Sequence, residues 1–402
     1  MKKIISIVLS ICAVLALCVP YSNFVSALSL KAENEIIAEI SKAIGDFYYQ
    51  KDVSGKTRSN GMTSSDVEAF LFDKIETHQY VINLYGTQKE NYKANVELLN
   101  KSTDSGIMQL EYKVDTTYNY VGCETESLLR TTVFIKYDIA SEKIIDWFDP
   151  FDYYDAFVRN AENEQSFREN NNAFRANAEI KNNQNSIIDS IDNVFTIESS
   201  NALNNSQRIP ERRGTSLNHQ AGVAWALNNC EKANPSSGNG TVPYYDFSEI
   251  SGNWDCTNFV SHALLASGAN IYDTGNSGIS ASGWYYRSLS NRSSSWSGVN
   301  PFYNYMSTST ASNKATAKDF VFMYSLNGAY WGIGSILQFD YEGDLSYDHS
   351  TIISTKERSA DGDRCYARVT GRTSDGRCQS DVAVSEISPT GLKRVLNVYN
   401  YY

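Results

Sequence analysis

The chain has 402 residues, of which 42% are hydrophobic and 12% aromatic, with a formal net charge of −11. That apolar content fills a core, which excludes a wholly disordered chain, and the length suits two domains. An acidic surface repels nucleic acid and anionic polymers within a Debye length, so no nucleic-acid partner is expected.

The chain opens with Met1-Lys2-Lys3, an apolar run from Ile4 to Val19, and Val25-Ser26-Ala27, the small residues that a signal peptidase prefers. Residues 1–27 therefore read as a signal peptide cleaved after Ala27, which predicts a secreted protein, extracellular or cell-wall associated. The rival reading, a membrane anchor, needs roughly 20 apolar residues, and the run is shorter, so no stable anchor is expected after cleavage. Leu17 is bulky where a lipidation signal has a small residue before its cysteine, which argues against lipidation at Cys18. Cleavage removes Lys2 and Lys3 and no acid, taking the charge to −13.

Cys123, Cys230, Cys256, Cys365 and Cys378 remain, an odd number, so at least one thiol stays unpaired. Cys365 and Cys378 flank a turn and are candidates for a hairpin bridge; Cys123 and Cys230 read as small buried hydrophobes. There is no CxxC and there are four histidines, so neither a metal site nor any other cofactor is expected.

From Ala32 to Tyr49, Ile36, Ile37, Ile40, Ala43, Ile44 and Phe47 recur at helical spacing. The period then changes to two along Tyr92–Leu98, Met108–Val114 and Leu129–Ile135, and Lys143–Phe148 follows a short turn. A helix on a curved antiparallel sheet satisfies this pattern, giving an α+β accessory domain over residues 28–158. Residues 159–214, rich in Asn, Glu, Gln and Ser, read as a polar helix and linker. The cluster from Arg208 to Arg213 within them is a solvated basic linker or a processing site.

The second domain spans residues 215–402. Asn218 is placed to cap a helix running to about Lys232, with Ala221, Ala224, Trp225 and Leu227 on its apolar side. In Asp255-Cys256-Thr257-Asn258-Phe259-Val260-Ser261-His262, and on to Gly268, the apolar stripe of Val260, Ala263 and Leu264 predicts another helix. Asp255 is its N-cap candidate, Gly268 its left-handed stop, and Cys256 its first residue. A thiol there meets the positive end of the helix dipole, which lowers its pKa, and its own N–H can serve as an oxyanion donor. The Asp255 charge opposes this unless its carboxylate is engaged in capping.

Gly334–Asp340 reads as a strand, and eight loop residues lead to His349 at the head of a second strand, Ser350–Ser354. A nucleophile on a helix beside a base on a sheet is the arrangement of cysteine hydrolases. The segments Asp255–Ser261 and Gln338-Phe339-Asp340 with Asp348-His349-Ser350 resemble the amidase domain of secreted bacterial proteins. That family is similar to the papain-like group containing the NlpC-type and CHAP cell-wall endopeptidases. The resemblance covers roughly residues 215–390 and implies Cys256 and His349 as a dyad. Two positions depart from its pattern: His262 stands where Gln is usual, and Arg372-Thr373 where a His-Thr pair is usual. Arg372 cannot accept a hydrogen bond from the base, so Asp375, or the Thr370 hydroxyl, is the expected third group.

His219 reads as a local hydrogen-bonding residue and His78 lies in the other domain. Trp254, Trp284, Tyr285, Tyr286 and Trp296 either wall a substrate cleft or pack in the core. The expected fold class is α+β, a papain-like domain preceded by the accessory domain. The expected partner is an amide or peptide substrate, peptidoglycan among the candidates. The alternative is a catalytically idle binding or adhesion module on the same fold.

Overall fold

The computed structural model describes residues 33–43, 61–150, 152–159, 164–169, 172–174, 184–196, 214–215, 217–250, 254–308, 315–320, 331–341, 344–358, 365–374 and 377–401. The expectations on residues 1–27, on the Arg208–Arg213 cluster and on Asp375 lie outside them.

The first helix, α1, covers residues 33–43 and buries Ile36, Ile40 and Ala43. A second, α2 (Ser65–Tyr85), is capped by Ser64, whose hydroxyl accepts from the Val67 amide, and ends at Gly86 in the left-handed conformation (φ 69°). Its signature is Ser64 ahead of Val67, Phe70, Leu71 and Ile75 at helical spacing, a helix that the sequence analysis does not include. Four strands follow: β1 (Lys89–Asp104), β2 (Ile107–Tyr120), β3 (Glu126–Asp138) and β4 (Lys143–Phe148). They contain every strand segment expected in this region. Along β2 every second residue is buried, so Met108, Leu110, Tyr112 and Val114 face α1 and α2 in one core. The short helices α3 (Tyr153–Val158) and α4 (Glu164–Glu169), and α5 over residues 184–196, complete this half.

In the second half, β5 (Gly214–Thr215) leads to α6 (His219–Asn229), whose Asn218 cap accepts from the Ala221 amide at 3.2 Å. A 3-10 turn (Phe247–Glu249) precedes α7 (Cys256–Ala266). Next come β6 (Ile279–Ser280), β7 (Tyr286–Ser288), β8 (Asn291–Ser293), α8 (Ser294–Ser297), α9 (Val299–Thr308) and β9 (Ala315–Phe320). The remaining elements are β10 (Ile336–Asp340), β11 (His349–Arg358), β12 (Cys365–Ser374), β13 (Arg377–Ala383), α10 (Val384–Ile387) and β14 (Leu392–Tyr401).

The large sheet is antiparallel in the order β1-β2-β3-β13-β12-β11-β10-β14-β5, with β4 joined to β3 and β9 to β14; β6, β8 and β7 form a small mixed sheet. The architecture is α+β. One face of the β10–β11–β14 region presents Ile336, Ile352 and Leu396 to Phe259, Val260, Ala263 and Leu264 of α7. The other presents Leu337, Phe339, Ile353 and Val395 to Trp331, Val384 and Ile387. Burial on both sides is why every residue of β10 is buried, Gln338 and Asp340 included, rather than every second one.

The two halves share this sheet, because Leu129 and Leu128 of β3 pair with Gln379 and Ser380 of β13. Polar contacts reinforce the junction: Lys89 and Tyr120 each reach Glu386 at 3.0 Å, and at the surface Arg130 donates to the Glu231 carbonyl.

The cysteine expectation is corrected at two points, the Cys365–Cys378 hairpin bridge and Cys230 as an unbonded small hydrophobe. Cys378 is bonded to Cys230, which follows α6, with Cα atoms 5.5 Å apart. Cys378 pairs with Arg372 across the β12–β13 ladder, whereas Cys365 pairs with Arg358 at the far end of β12. A hairpin bridge would require those two ends to meet. Cys123 is free and half-buried, its thiol 2.8 Å from Glu357.

Candidate active site

Cys256 is the first residue of α7 and is a free, almost fully buried thiol. The expected helix start and the left-handed stop at Gly268 (φ 86°) are both present. Asp255 occupies the N-cap position without capping. Its carboxylate turns inward, accepting from the Phe247 amide (3.1 Å), the Asn258 amide group (2.9 Å) and the Tyr244 hydroxyl, and facing Nε of Arg372 at 3.3 Å. Burial and the neighbouring Asp246 charge raise its pKa to about 7, against the pull of Tyr244 and Arg372.

The sheet comes to Cys256 at the beginning of β11. Sγ lies 4.0 Å from the Asp348 carbonyl oxygen, and the Thr257 hydroxyl is 3.1 Å from that of Ser350. His349 stands between these two anchor points. Ser350 and Gln338 face α7, joined to each other at 3.0 Å, while His349 shares its face with Phe339 and Tyr341, whose ring centroids lie 6.0 and 6.4 Å from its own. The Tyr341 ring stacks on that of His349 at an interplanar angle of 24°. Among the described residues there is no thiol–imidazole hydrogen bond, and catalytic contacts of this kind often tighten only when substrate binds.

Nε2 of His349 lies 3.2 Å from Oε1 of Gln379. An amide oxygen only accepts, so Nε2 carries the proton and the lone pair is on Nδ1. Burial lowers the His349 pKa to about 4, the Gln379 bond opposing it. Burial raises the Cys256 thiol to about 11, with the Ser350 amide and the Thr257 hydroxyl pulling it back. The pair therefore rests as a neutral thiol and a neutral imidazole. This differs from the expected thiolate, because desolvation of the sulfur outweighs the favourable groups around it.

Gln379 was not anticipated. It lies 30 positions from His349 in a segment with no motif, and only the β12–β13 pairing carries it there. Thr370 donates no bond to the base; its hydroxyl accepts from the Asp381 amide. Arg372 is fully buried and donates to Asp246 and to the Lys232 carbonyl. His262 accepts from the Gly238 amide within a cage of Trp225, Tyr244 and Trp296, and His78 pairs with Asp152 at 2.8 Å. His219 packs against Gly334. Of the five aromatics singled out, Trp284, Tyr285, Tyr286 and Trp296 are core residues, and Trp254, next to Asp255, is 44% exposed.

Residues 216–392 match a family described as "Putative amidase domain". This amidase match contains Cys256, His349 and Gln379, and leaves the first half of the chain unassigned. No curated protein and no solved structure matches the chain. Among the described residues, no three His, Cys, Asp or Glu side chains form a group able to hold a metal ion, and no helix is long and apolar enough to cross a membrane.

Proposed function

We propose that the second half of the chain is a papain-like cysteine amidase, with Cys256 as nucleophile and His349 as its base. The observations that support this reading, all inside the amidase match, are a helix-opening free cysteine whose Sγ lies 4.0 Å from the carbonyl oxygen of Asp348, the residue before His349, and a histidine whose Nε2 is held by an amide oxygen. Nδ1 of His349 takes the thiol proton as Sγ bonds to the carbonyl carbon of the substrate amide. The Cys256 N–H, at a helix start where no preceding turn claims it, faces the developing oxyanion. Collapse of that intermediate breaks the C–N bond, and the imidazolium returns its proton to the leaving amine. Water, deprotonated by Nδ1, then cleaves the thioester, releasing a carboxylic acid and the thiol.

Export and a cell-wall peptide substrate belong to the same proposal. The N-terminal signal pattern and the Cys230–Cys378 disulfide support an oxidising destination. The resemblance to wall endopeptidases supports the substrate. The acidic charge opposes contact with teichoic acids, so binding to a wall would rest on local contacts rather than on long-range attraction.

One feature favours a second reading. The enclosed thiol, with its raised pKa and no bond to the imidazole, also suits an idle module that binds without cleaving. Incubation of the mature protein and of Cys256→Ala with purified peptidoglycan, unfolded protein and short acyl-amides, reading new amines by mass spectrometry, separates them. Cys256-dependent release from any of the three supports the amidase; release from amides or protein with none from the wall removes the wall substrate alone. No release by folded, reduced-at-Cys256 protein supports the binding module.

A further inference from the structure

We propose that the Cys230–Cys378 disulfide is a positioning device for the catalytic base, acting through Gln379. The inference rests on the reading of Gln379 as the group that orients His349.

Gln379 directly follows the bonded cysteine, so its backbone is fixed covalently on one side. It is also the residue of β13 that pairs with Leu129 of β3. The need for such fixing is visible in the ladder on its remaining flank. Gln379 pairs with Gly371 on β12, and the register shifts both before that pair, between Val369 and Gly371, and within the following stretch, between Arg372 and Ser374. Two register shifts within six residues interrupt the ladder and leave residues unpaired beside Gln379, and a one-residue slip would turn its side chain to the opposite face. Gly371 has no side chain to hold Gln379 laterally. The bond from Cys378 to the end of α6 supplies the missing constraint. It selects the register in which the Gln379 amide meets Nε2 of His349 and so keeps the lone pair on Nδ1.

Both sulfurs are fully buried, which makes this a fixed brace rather than an exposed sensor. The prediction concerns the histidine tautomer and not stability alone.

The test is 15N NMR of the imidazoles in the full mature chain, with the His349 signals identified by their loss in His349→Ala. In the wild type His349 is the Nε2–H tautomer. In Gln379→Ala it becomes a mixture of both tautomers. The pair variant Cys230→Ala with Cys378→Ala gives the same mixture, and adding Gln379→Ala to that pair changes nothing further. In the amidase assay, kcat falls together with the tautomer, by up to about a hundredfold, with KM little changed. A folded pair variant that keeps the wild-type Nε2–H signal overturns the proposal, as does a triple variant that departs from Gln379→Ala. Should the alanine pair not fold, Cys230→Val with Cys378→Ala refills the apolar volume and is read the same way. A wild-type signal in Gln379→Ala would instead refute the orienting role of Gln379, so the two failures are distinguishable.

Discussion

Nε of Arg372 lies 3.3 Å from the Asp255 carboxylate, directly beneath the residue that opens the nucleophile helix. Sequence reasoning met Arg372 as a lost hydrogen-bond acceptor for the base. In the structure it is the counter-charge for two carboxylates, the buried Asp255 and the partly buried Asp246, and it ties the loop before α7 to β12.

Removing Arg372 leaves both carboxylates without their counter-charge, which costs about 3–5 kcal/mol. Arg372→Met should therefore lower the urea midpoint sharply. Arg372→Met combined with Asp255→Asn should recover part of the loss, since one uncompensated charge goes with it. An unchanged midpoint in the single variant would show that the pair contributes nothing to folding.

The pH dependence follows from the two shifted groups. His349, with its pKa lowered to about 4, is neutral and able to accept a proton at every pH above that value, so kcat/KM should hold down to about 4 and fall below it. Cys256, raised to about 11, is almost wholly thiol at neutral pH. Its alkylation by iodoacetamide should be slow at pH 7 and rise about tenfold per pH unit toward 11. Mass mapping of the labelled thiol measures this, and a rate already at its plateau at pH 7 would mean that the thiolate is the resting form.

Gly371 lies against β11 so closely that an added Cβ would fall 2.7 Å from Cγ2 of Thr351. Thr is stiff at χ1 and cannot easily swing away. Gly371→Ala should cost about 1–3 kcal/mol through overpacking and should displace Gln379 across the ladder. Gly371→Ala combined with Thr351→Ser, which removes the struck methyl group, should restore both stability and activity.

Deleting the first half of the chain should not release a free enzyme. A chain beginning at Thr215 exposes the β13 edge that β3 covers and strands Lys89's partner, Glu386. Open edges invite pairing between molecules, so the truncated chain should associate, measurable by light scattering. A monomeric, active fragment would show that the shared sheet is dispensable.

Legibility in the sequence followed the range of the interactions. The helix start at Cys256, the cap at Asn218 and the strand head at His349 are set by neighbours a few residues away, and each was readable. β4 was readable to the residue because its segment lies between turns. The partner of His349 was not, because Gln379 depends on which strands lie side by side. The partner of Cys378 failed for the same reason: nearness in sequence suggested Cys365, while the fold brings in Cys230, 148 residues away. The neutral thiol of Cys256 differs from the expected thiolate because position on a helix is visible in a sequence and depth beneath the surface is not.

That depth has a chemical consequence for survival. Peroxide attacks thiolates, and it must reach them. A cysteine that waits protonated and 2% exposed in the first turn of a helix is a poor target on both counts. The arrangement that delays the reaction until an amide is in place also lets one thiol persist unoxidised in a protein whose other buried pair has already become a disulfide.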